Sequence, residues 1–268
     1  MDTGTILLDV GGTFIKCSDG REIPIDSAGD REGIASALRE AVRNASKVAV
    51  AIPGPFDYDR GIFLMKHKFA AVYGESFADL CHSERSEESP SFRFIHDVNA
   101  MLLGEMSSGA GKGYARVALV TLGTGLGFAM SIDGKLLKNE MGSPAVPIWN
   151  LPYRDGILED FASKRGFLRG FPEGMTVKGL ALSAQETGNT AALERFREVG
   201  DILAGALAPI MKEYGIECLL FGGQISRSYG LFGPALESGL KRQDVILKHI
   251  GPVSDIGNAT FNGLRALL

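Results

Sequence analysis

Apolar positions in the first hundred residues form two kinds of pattern. ILLDV (6–10), KVAVAI (47–52) and FRFIH (92–96) are short and mostly apolar, which is typical of buried strands. REGIASALREAVRNA (31–45) instead places apolar residues four positions apart, which predicts an amphipathic helix. VNAMLLGEM (98–106) predicts a second helix directly after the third strand.

The second half of the chain repeats this alternation. RVALVTLGTGLGFAMSIDGKLL (116–137) predicts two strands around a glycine-rich bend, and ECLLFGGQIS (217–226) predicts a strand that runs into paired glycines. Between them, 189–215 carries apolar residues at spacings of three and four, which predicts a long amphipathic helix. Strands and helices alternating in this way predict an α/β fold.

Length and composition favour two domains of a soluble protein. At about 150 residues per domain, 268 residues suggest two. We place the first at 1–112 and the second at 113–255, and we expect a C-terminal helix at 256–268 to pack back on the first. The polar, low-complexity segment CHSERSEESP (81–90) is expected to be a surface loop.

Charge and cysteine content exclude several classes of protein. A net charge of −4 disfavours duplex nucleic acid as a partner, although a local basic patch is compatible with this total. The three cysteines, at positions 17, 81 and 218, are far apart and form no CxxC pair, which disfavours a disulfide framework and a four-cysteine zinc site. With no signal peptide and no apolar run of about 18 residues, we expect a cytoplasmic protein without a membrane span.

Three glycine-rich loops each follow a predicted strand, at 9–13, 122–127 and 221–223. Such loops bring backbone N–H groups close to phosphate oxygens, although a tight turn uses the same residues. The common nucleotide motifs are absent from the sequence: it has no GxxxxGK[ST], no GxGxxG that opens a helix after the first strand, and no HRD or DFG. A phosphate site here therefore needs another architecture.

The first loop combines residues suited to a magnesium-bound nucleotide. Asp9 ends a buried strand, where a carboxylate is costly unless it is paired or lies beside a metal. Gly11 and Gly12 would leave space for phosphate, while Thr13 and Lys16 would offer it a hydroxyl and a cation. The alternative is a hairpin turn with a hydrogen-bonded Asp9.

Asp97 lies where an apolar strand ends and a helix begins. A carboxylate held rigidly at a strand end can accept a proton from a hydroxyl group, which makes Asp97 a candidate catalytic base. Phosphoryl transfer needs mainly positioning and charge stabilisation, so one base, one metal and two phosphate loops suffice. The alternative is a helix N-cap, which is a very common use of Asp.

Five segments occur in an order that resembles the ROK (repressor, open reading frame, kinase) family of the actin-like ATPase superfamily. They are LLDVGGTFIK (7–16), FIHDVNAMLLGE (94–105), VTLGTGLGFAMSIDGKLL (120–137), LEDFAS (158–163) and CLLFGGQIS (218–226). The resemblance spans about residues 6 to 264. It implies two ribonuclease-H-like domains flanking a cleft, and an ATP- and Mg²⁺-dependent sugar kinase similar to bacterial glucokinases.

The resemblance also implies roles for individual residues. Asp97 matches the catalytic base of the family's NDxNA motif, and Asp9 would help to position Mg²⁺, through water. The first phosphate loop would be Gly11, Gly12, Thr13 and Lys16; the second Thr121, Gly123, Thr124 and Gly125; and the adenosine segment Gly222 and Gly223. Glu140 and Glu159 resemble two sugar-binding carboxylates of the family, and either could instead be a surface residue.

The chain departs from the family pattern at the sugar site. His96 replaces the Asn that precedes the catalytic Asp, and Ser143 replaces the His of the GExGH motif, so both are assigned to the substrate site. The segment 141–159 has neither Cys nor His, so we predict no zinc site. The basic run 66–68 is expected to be solvated, with an anionic or modified substrate as its alternative role.

These departures leave other functions open. A degenerate family member would bind sugar or nucleotide without turnover, and a related kinase would phosphorylate a metabolite that is not a sugar. A transcriptional regulator is disfavoured, because the chain starts on the first phosphate strand and is mildly acidic. Family analogy suggests a homodimer, and neither the sugar nor its reacting hydroxyl group can be read from the residues.

Overall fold

The computed structural model of the chain describes residues 4–82 and 90–268. The loop predicted at 81–90 falls mostly on 83–89, which lie outside the described residues. The described strands are β1 (Thr5–Val10), β2 (Phe14–Cys17), β3 (Glu22–Pro24), β4 (Lys47–Ile52), β5 (Phe56–Asp57), β6 (Ile62–Phe63), β7 (Ser91–His96), β8 (Arg116–Leu122), β9 (Leu126–Ile132), β10 (Lys135–Leu136), β11 (Pro152–Tyr153), β12 (Gly156–Ile157), β13 (Cys218–Gly222) and β14 (His249–Pro252).

The described helices follow the same alternation along the chain. They are α1 (Arg31–Val42), α2 (Phe77–Cys81), α3 (Asp97–Ser108), α4 (Leu158–Ala162), α5 (Lys164–Leu168), α6 (Val177–Glu186), α7 (Thr190–Tyr214), α8 (Tyr229–Arg242) and α9 (Ala259–Leu267). Short 3₁₀ helices cover Ala70–Val72 and Gln224–Ser228. In the described part of the chain, no helix combines the length and the hydropathy that a bilayer crossing requires.

The chain divides into two compact units. The first unit comprises Met1–Ser108, Lys138–Ala145 and Gly257–Leu268, and the second comprises Gly109–Leu137 and Val146–Ile256. No sequence signal pointed to the short segment Lys138–Ala145 as part of the first unit.

The first unit is built on a five-stranded mixed sheet with the order β3-β2-β1-β4-β7. β2 runs antiparallel to β1 and β3, whereas β4 runs parallel to β1 and β7. Val48–Ile52 of β4 is buried throughout, as expected for a central strand covered on both faces. In helix α1, Ile34 and Leu38 are buried against this sheet's core, and Asp30 caps the first turn by accepting from Gly33 N–H at 2.8 Å.

The second unit repeats this architecture with the order β10-β9-β8-β13-β14. Again the first three strands are antiparallel and the last two run parallel to the central strand. The long helix α7 buries an apolar stripe that includes Phe196, Val199 and Leu203, and Asn189 caps its start. The α/β fold predicted from the sequence is confirmed in both units.

The C-terminal helix α9 packs on α3 of the first unit at very close range. A Cβ atom on Gly263 would lie 1.7 Å from the carbonyl oxygen of Ala100, and one on Gly104 would lie 2.1 Å from that of Ala259. Only glycine permits such an approach of two helix backbones. The last helix therefore closes the first unit next to the helix that begins with Asp97.

Candidate active site

Asp9 is a half-buried carboxylate near the end of β1. It lies opposite Lys16 in the antiparallel pair of β1 and β2. Burial, and then the negative charge of Asp97, raise the pKa of Asp9 from 3.8 to about 6, while the positive charge of Lys16 opposes this shift. Among the described residues, no hydrogen-bond donor is bonded to the Asp9 carboxylate, so its oxygens remain available to a ligand.

The glycine loop after β1 is held by three backbone hydrogen bonds. Gly11 N–H donates to Phe14 at 2.9 Å, and the carbonyl groups of Gly12 and Thr13 each accept an N–H at 3.0 Å. Within the described residues, the N–H groups of Gly12 and Thr13 donate to no protein acceptor. Two unpaired N–H groups in a fixed loop form the kind of concavity that binds anions.

Asp97 is the first residue of α3, directly after β7. Its Oδ1 atom lies 2.8 Å from His96 Nδ1 and accepts the N–H of Val98 at 2.8 Å. An N-cap accepts from a residue two or three positions on, so this contact is not a usual cap. Burial disfavours the Asp97 carboxylate, but His96, the Val98 N–H and Lys68 outweigh it and lower the pKa of Asp97. The side chain is 38% exposed, so an ionised carboxylate is accessible to a ligand.

Three polar side chains converge on Gly54. A Cβ atom there would lie 3.2 Å from Ser143 Oγ, 3.3 Å from the Tyr58 hydroxyl and 3.5 Å from His96 Cδ2. Tyr58 also stacks obliquely on the His96 ring, with centroids 5.8 Å apart. The structure therefore brings together His96 and Ser143, the two departures from the family pattern, and adds Tyr58 to them.

The Tyr58 hydroxyl is a fixed hydrogen-bond donor. It donates to the Ile52 carbonyl group at 2.9 Å. Burial, and then the charge of Asp97, raise the pKa of Tyr58, while a hydrogen bond with Ser143 opposes the shift. The phenol therefore stays protonated at neutral pH.

A tight turn at 139–143 places Ser143 in this cluster. Asn139 Oδ1 accepts the N–H groups of Met141 and Ser143, each at 3.0 Å. Asn99 Nδ2 donates to the Gly142 carbonyl group at 3.2 Å and so ties the turn to α3. The Oδ1 atom of Asn99 is buried without a partner among the described residues. Glu140, on the same turn, is exposed.

The second glycine loop lies between β8 and β9 in the second unit. Gly123 N–H donates to Gly125 at 3.1 Å, whereas the N–H groups of Thr124 and Gly125 have no acceptor among the described residues. Thr121 lies beside Gly222 in the parallel pair of β8 and β13, so the predicted second phosphate loop and the adenosine segment are neighbours.

Glu159 shapes this second loop. Its Oε2 atom accepts the Leu126 N–H at 2.9 Å, and its Oε1 atom lies 3.1 Å from Arg165 Nη2. A Cβ atom on Gly125 would lie only 2.9 Å from Glu159 Oε2. The carboxylate predicted to bind sugar therefore already has two partners in its own unit.

A surface pocket of about 510 Å³ opens beyond Gly223. Residues 226, 227, 229, 230 and 252–256 line it, including Tyr229 and Val253. Gly223 has a φ of 81°, and a Cβ atom there would lie 2.3 Å from the Leu122 carbonyl oxygen, so only glycine fits. The pocket has the size of a small-molecule site.

Sequence reasoning missed Tyr58 and Arg165, and it favoured a solvated surface for the basic run at 66–68 without distinguishing its three residues. Lys66 and His67 are exposed, whereas Lys68 is half-buried, and its Cε atom lies 3.9 Å from a Cβ position on Gly12. A lysine within a basic run carries no sequence signal of burial, so this position could not have been singled out. Among the described residues no three His, Cys, Asp or Glu side chains form a metal-ligand cluster, and none of the three cysteines is in a disulfide. The expected absence of zinc stays a prediction.

Comparisons with known proteins agree on one family. The ROK family model matches residues 31–259. The chain is 29% identical to a glucokinase of Thermotoga maritima, and the match covers 87% of this chain and 74% of that protein. It is also 29% identical to the N-acetylgalactosamine kinase AgaK of Shewanella sp., and that match covers 49% of each protein. A ROK family glucokinase of Streptomyces griseus, solved with glucose and AMPPNP, has a TM-score of 0.78 at 23% identity over 98% of both chains. This likeness confirms the fold that the resemblance implied.

Proposed function

Because this chain belongs to the ROK family, we propose that it transfers the terminal phosphoryl group of ATP to a hydroxyl group of a hexose or amino sugar. The observation that carries the proposal is the ionised, accessible carboxylate of Asp97 in the unit that also holds an anion-binding glycine loop. The glucokinase and N-acetylgalactosamine kinase relatives support a sugar as the acceptor.

In this proposal Asp97 is the catalytic base. Its carboxylate accepts the proton of the sugar hydroxyl as the sugar oxygen bonds to the terminal phosphorus, and the bond from that phosphorus to the bridging oxygen breaks to release ADP. The lowered pKa of Asp97 supports this role, because the carboxylate is ready to accept a proton at neutral pH.

The first loop binds phosphate oxygens. Gly12 and Thr13 supply unpaired N–H groups, Thr13 adds a hydroxyl, Lys16 adds a cation, and Gly11 keeps the backbone clear. Asp9 would hold Mg²⁺ through water, because its oxygens accept no hydrogen bond from the described residues. Burial, and then the negative charge of Asp97, raise the pKa of Asp9, and a divalent cation would favour its ionised form. When bound, Mg²⁺ would neutralise phosphate charge.

The second unit binds the rest of the nucleotide. Thr121, Gly123, Thr124 and Gly125 contact phosphate, and the unpaired N–H groups of Thr124 and Gly125 support this assignment. The pocket beyond Gly222 and Gly223 receives the adenosine, because its lining residue Ser226 is hydrogen-bonded to Gly223 and its volume suits a nucleoside.

The sugar is oriented by side chains near Asp97. His96 and Ser143 converge with Tyr58 at Gly54, which supports their assignment to the acceptor site. Glu140 and Glu159 remain proposed sugar-binding residues. The exposed position of Glu140 leaves its carboxylate accessible, while the two hydrogen-bonded partners of Glu159 favour a role in shaping the second loop.

We also propose a homodimer, by analogy with the family, that acts on small-molecule ligands in the cytoplasm. The net charge of −4 argues against a nucleic-acid partner. Two alternatives make different predictions. A degenerate binder would be stabilised thermally by ATP or sugar without releasing ADP, and a kinase of another metabolite would release ADP only with acceptors that are not sugars.

The experiment is coupled ADP release with Mg-ATP against hexoses, N-acetylhexosamines and ketohexoses. We expect turnover with at least one sugar and a loss of about 10²-fold or more in Asp97→Asn. The matched control is Asp59→Asn, an exposed carboxylate in the same unit, which should leave the rate unchanged. Thermal stabilisation by ATP without turnover on any sugar would overturn the proposal.

A further inference from the structure

Lys68 is a half-buried cation next to the first glycine loop. Its Cε atom lies 3.9 Å from the position of a Cβ atom on Gly12. Among the described residues, no carboxylate forms an ion pair with Lys68. A partly buried charge without a partner is costly, and an anionic ligand would remove that cost.

The backbone around Lys68 is fixed to the loop by two hydrogen bonds in series. Phe69 N–H donates to the Ser27 carbonyl group at 2.6 Å, and Ser27 N–H donates to the Gly12 carbonyl group at 3.0 Å. Phe69 is fully buried and has a φ of 53°, and its ring packs against Phe63 at 5.5 Å. The lysine is therefore anchored to the loop by its neighbour and does not project from a free surface segment.

Lys68 also acts on the candidate base. Its positive charge is one of the causes that lower the pKa of Asp97, after His96 and the Val98 N–H. One cation therefore lies beside a glycine with an unpaired N–H and also acts electrostatically on the carboxylate that would accept the sugar proton. Lys66, two residues earlier, is exposed and lies over the Tyr73 ring at 5.2 Å.

We propose that Lys68 is a further catalytic residue that binds the oxygens of the phosphoryl group in transit. This proposal rests on the proposed kinase activity. In phosphoryl transfer the group passes from the phosphate loop to the oxygen beside the base, and a cation near both stabilises the charge on its oxygens. A side chain that acts mainly in the transition state affects kcat more than KM.

The test compares Lys68→Met with Lys68→Arg and with Lys66→Met, the matched control from the same basic run. We expect Lys68→Met to lower kcat by about 10²-fold and to change the sugar KM by less than about twofold. Lys68→Arg should recover activity to within about tenfold of the parent, because it restores the charge. Lys66→Met should stay within about twofold of the parent.

Two results would overturn the proposal. One is a kcat of Lys68→Met within about twofold of the parent; the other is an unchanged kcat with a sugar KM raised about tenfold, which would assign Lys68 to an anionic group of the acceptor. If the parent phosphorylates no sugar, the proposed function fails separately. Titration calorimetry with Mg-ADP and fluoroaluminate, which mimics the phosphoryl group in transit, then decides the inference: about tenfold weaker binding by Lys68→Met supports it, and equal affinities of parent and variant overturn it.

Discussion

The Nδ1 atom of His96 lies 2.8 Å from Oδ1 of Asp97. An ionised carboxylate only accepts hydrogen bonds, so this contact requires the hydrogen on Nδ1. Val98 N–H lies 3.3 Å from the same nitrogen but 2.8 Å from the Asp97 oxygen, and it therefore donates to the carboxylate. In the neutral ring, Nε2 is then an acceptor, and His96 can hold a sugar hydroxyl while it stabilises the base.

Replacing His96 should lower the activity at mildly acidic pH. His96 lowers the pKa of Asp97, so its loss raises that pKa, and a larger fraction of Asp97 is protonated and inactive in mildly acidic solution. We expect the acidic limb of the pH profile of kcat/KM to move to higher pH in His96→Asn. The exposed His67→Asn is the control. An acidic limb that does not move would show that the contact leaves the base unaffected.

Asp9→Asn should make the protein more stable while removing activity. Burial and then Asp97 raise the folded-state pKa of Asp9 from 3.8 to about 6. Between these values the folded chain keeps a proton that the unfolded chain has lost, so the free energy of unfolding falls as pH rises, by up to about 3 kcal/mol. Asp9→Asn has no ionisable group at this position, so its free energy of unfolding does not fall in this way.

Urea unfolding without Mg²⁺ from pH 4 to pH 8 measures this difference. We expect Asp9→Asn to match the parent near pH 4 and to exceed it above about pH 6. Asp59→Asn, at an exposed position, should track the parent throughout. A stability gain of Asp9→Asn that is the same at every pH would contradict the cause given for the shift.

Two glycine-to-alanine changes in helices should have opposite effects on stability. In Gly263→Ala the new methyl group would lie 1.7 Å from the Ala100 carbonyl oxygen, so α9 must move away from α3 at a cost of at least about 2 kcal/mol. In Gly205→Ala, on the exposed side of α7, nothing lies within 4 Å, and we expect a gain of about 0.5–1 kcal/mol. Chemical denaturation of both variants measures these changes. A free energy of unfolding of Gly263→Ala equal to that of the parent would rule out the close packing of α9 on α3.

Removing Glu159 should weaken nucleotide binding. Glu159→Ala frees the Leu126 N–H and loosens the second glycine loop, so we expect the KM for ATP to rise about tenfold. Arg165→Met removes the surface ion pairs with Glu159 and Asp160 but leaves the Leu126 hydrogen bond, and it should change this KM by less than about threefold. A rise in the sugar KM with an unchanged KM for ATP would instead assign Glu159 to the acceptor site.

Local patterns along the chain were enough to predict the helices and strands and the residues at which they end. The strand at 47–52, the helix at 31–42 and the junction at Asp97 follow from side-chain periodicity and from the residues that flank each run. These features depend on neighbours within a few positions. The motif order also sufficed to recognise the family, which the match over 31–259 confirms.

The contacts around the candidate site depended on the tertiary structure. Lys68 lies beside Gly12 because the Phe69 N–H donates to the Ser27 carbonyl group. Ser143 and His96 both lie beside Gly54 because the segment Lys138–Ala145 belongs to the first unit. Each contact joins positions far apart in the chain, so it depends on strand order and helix packing.

Adjacent residues along the chain are enough to encode the α/β alternation, the glycine loops and the carboxylate at the strand–helix junction. Tertiary structure decided which lysine of the basic run is half-buried, that Glu159 is bonded to the second loop, and that Tyr58 lies beside His96. Burial and charge pairing are properties of a residue's surroundings in space, and those surroundings form only when distant segments pack together.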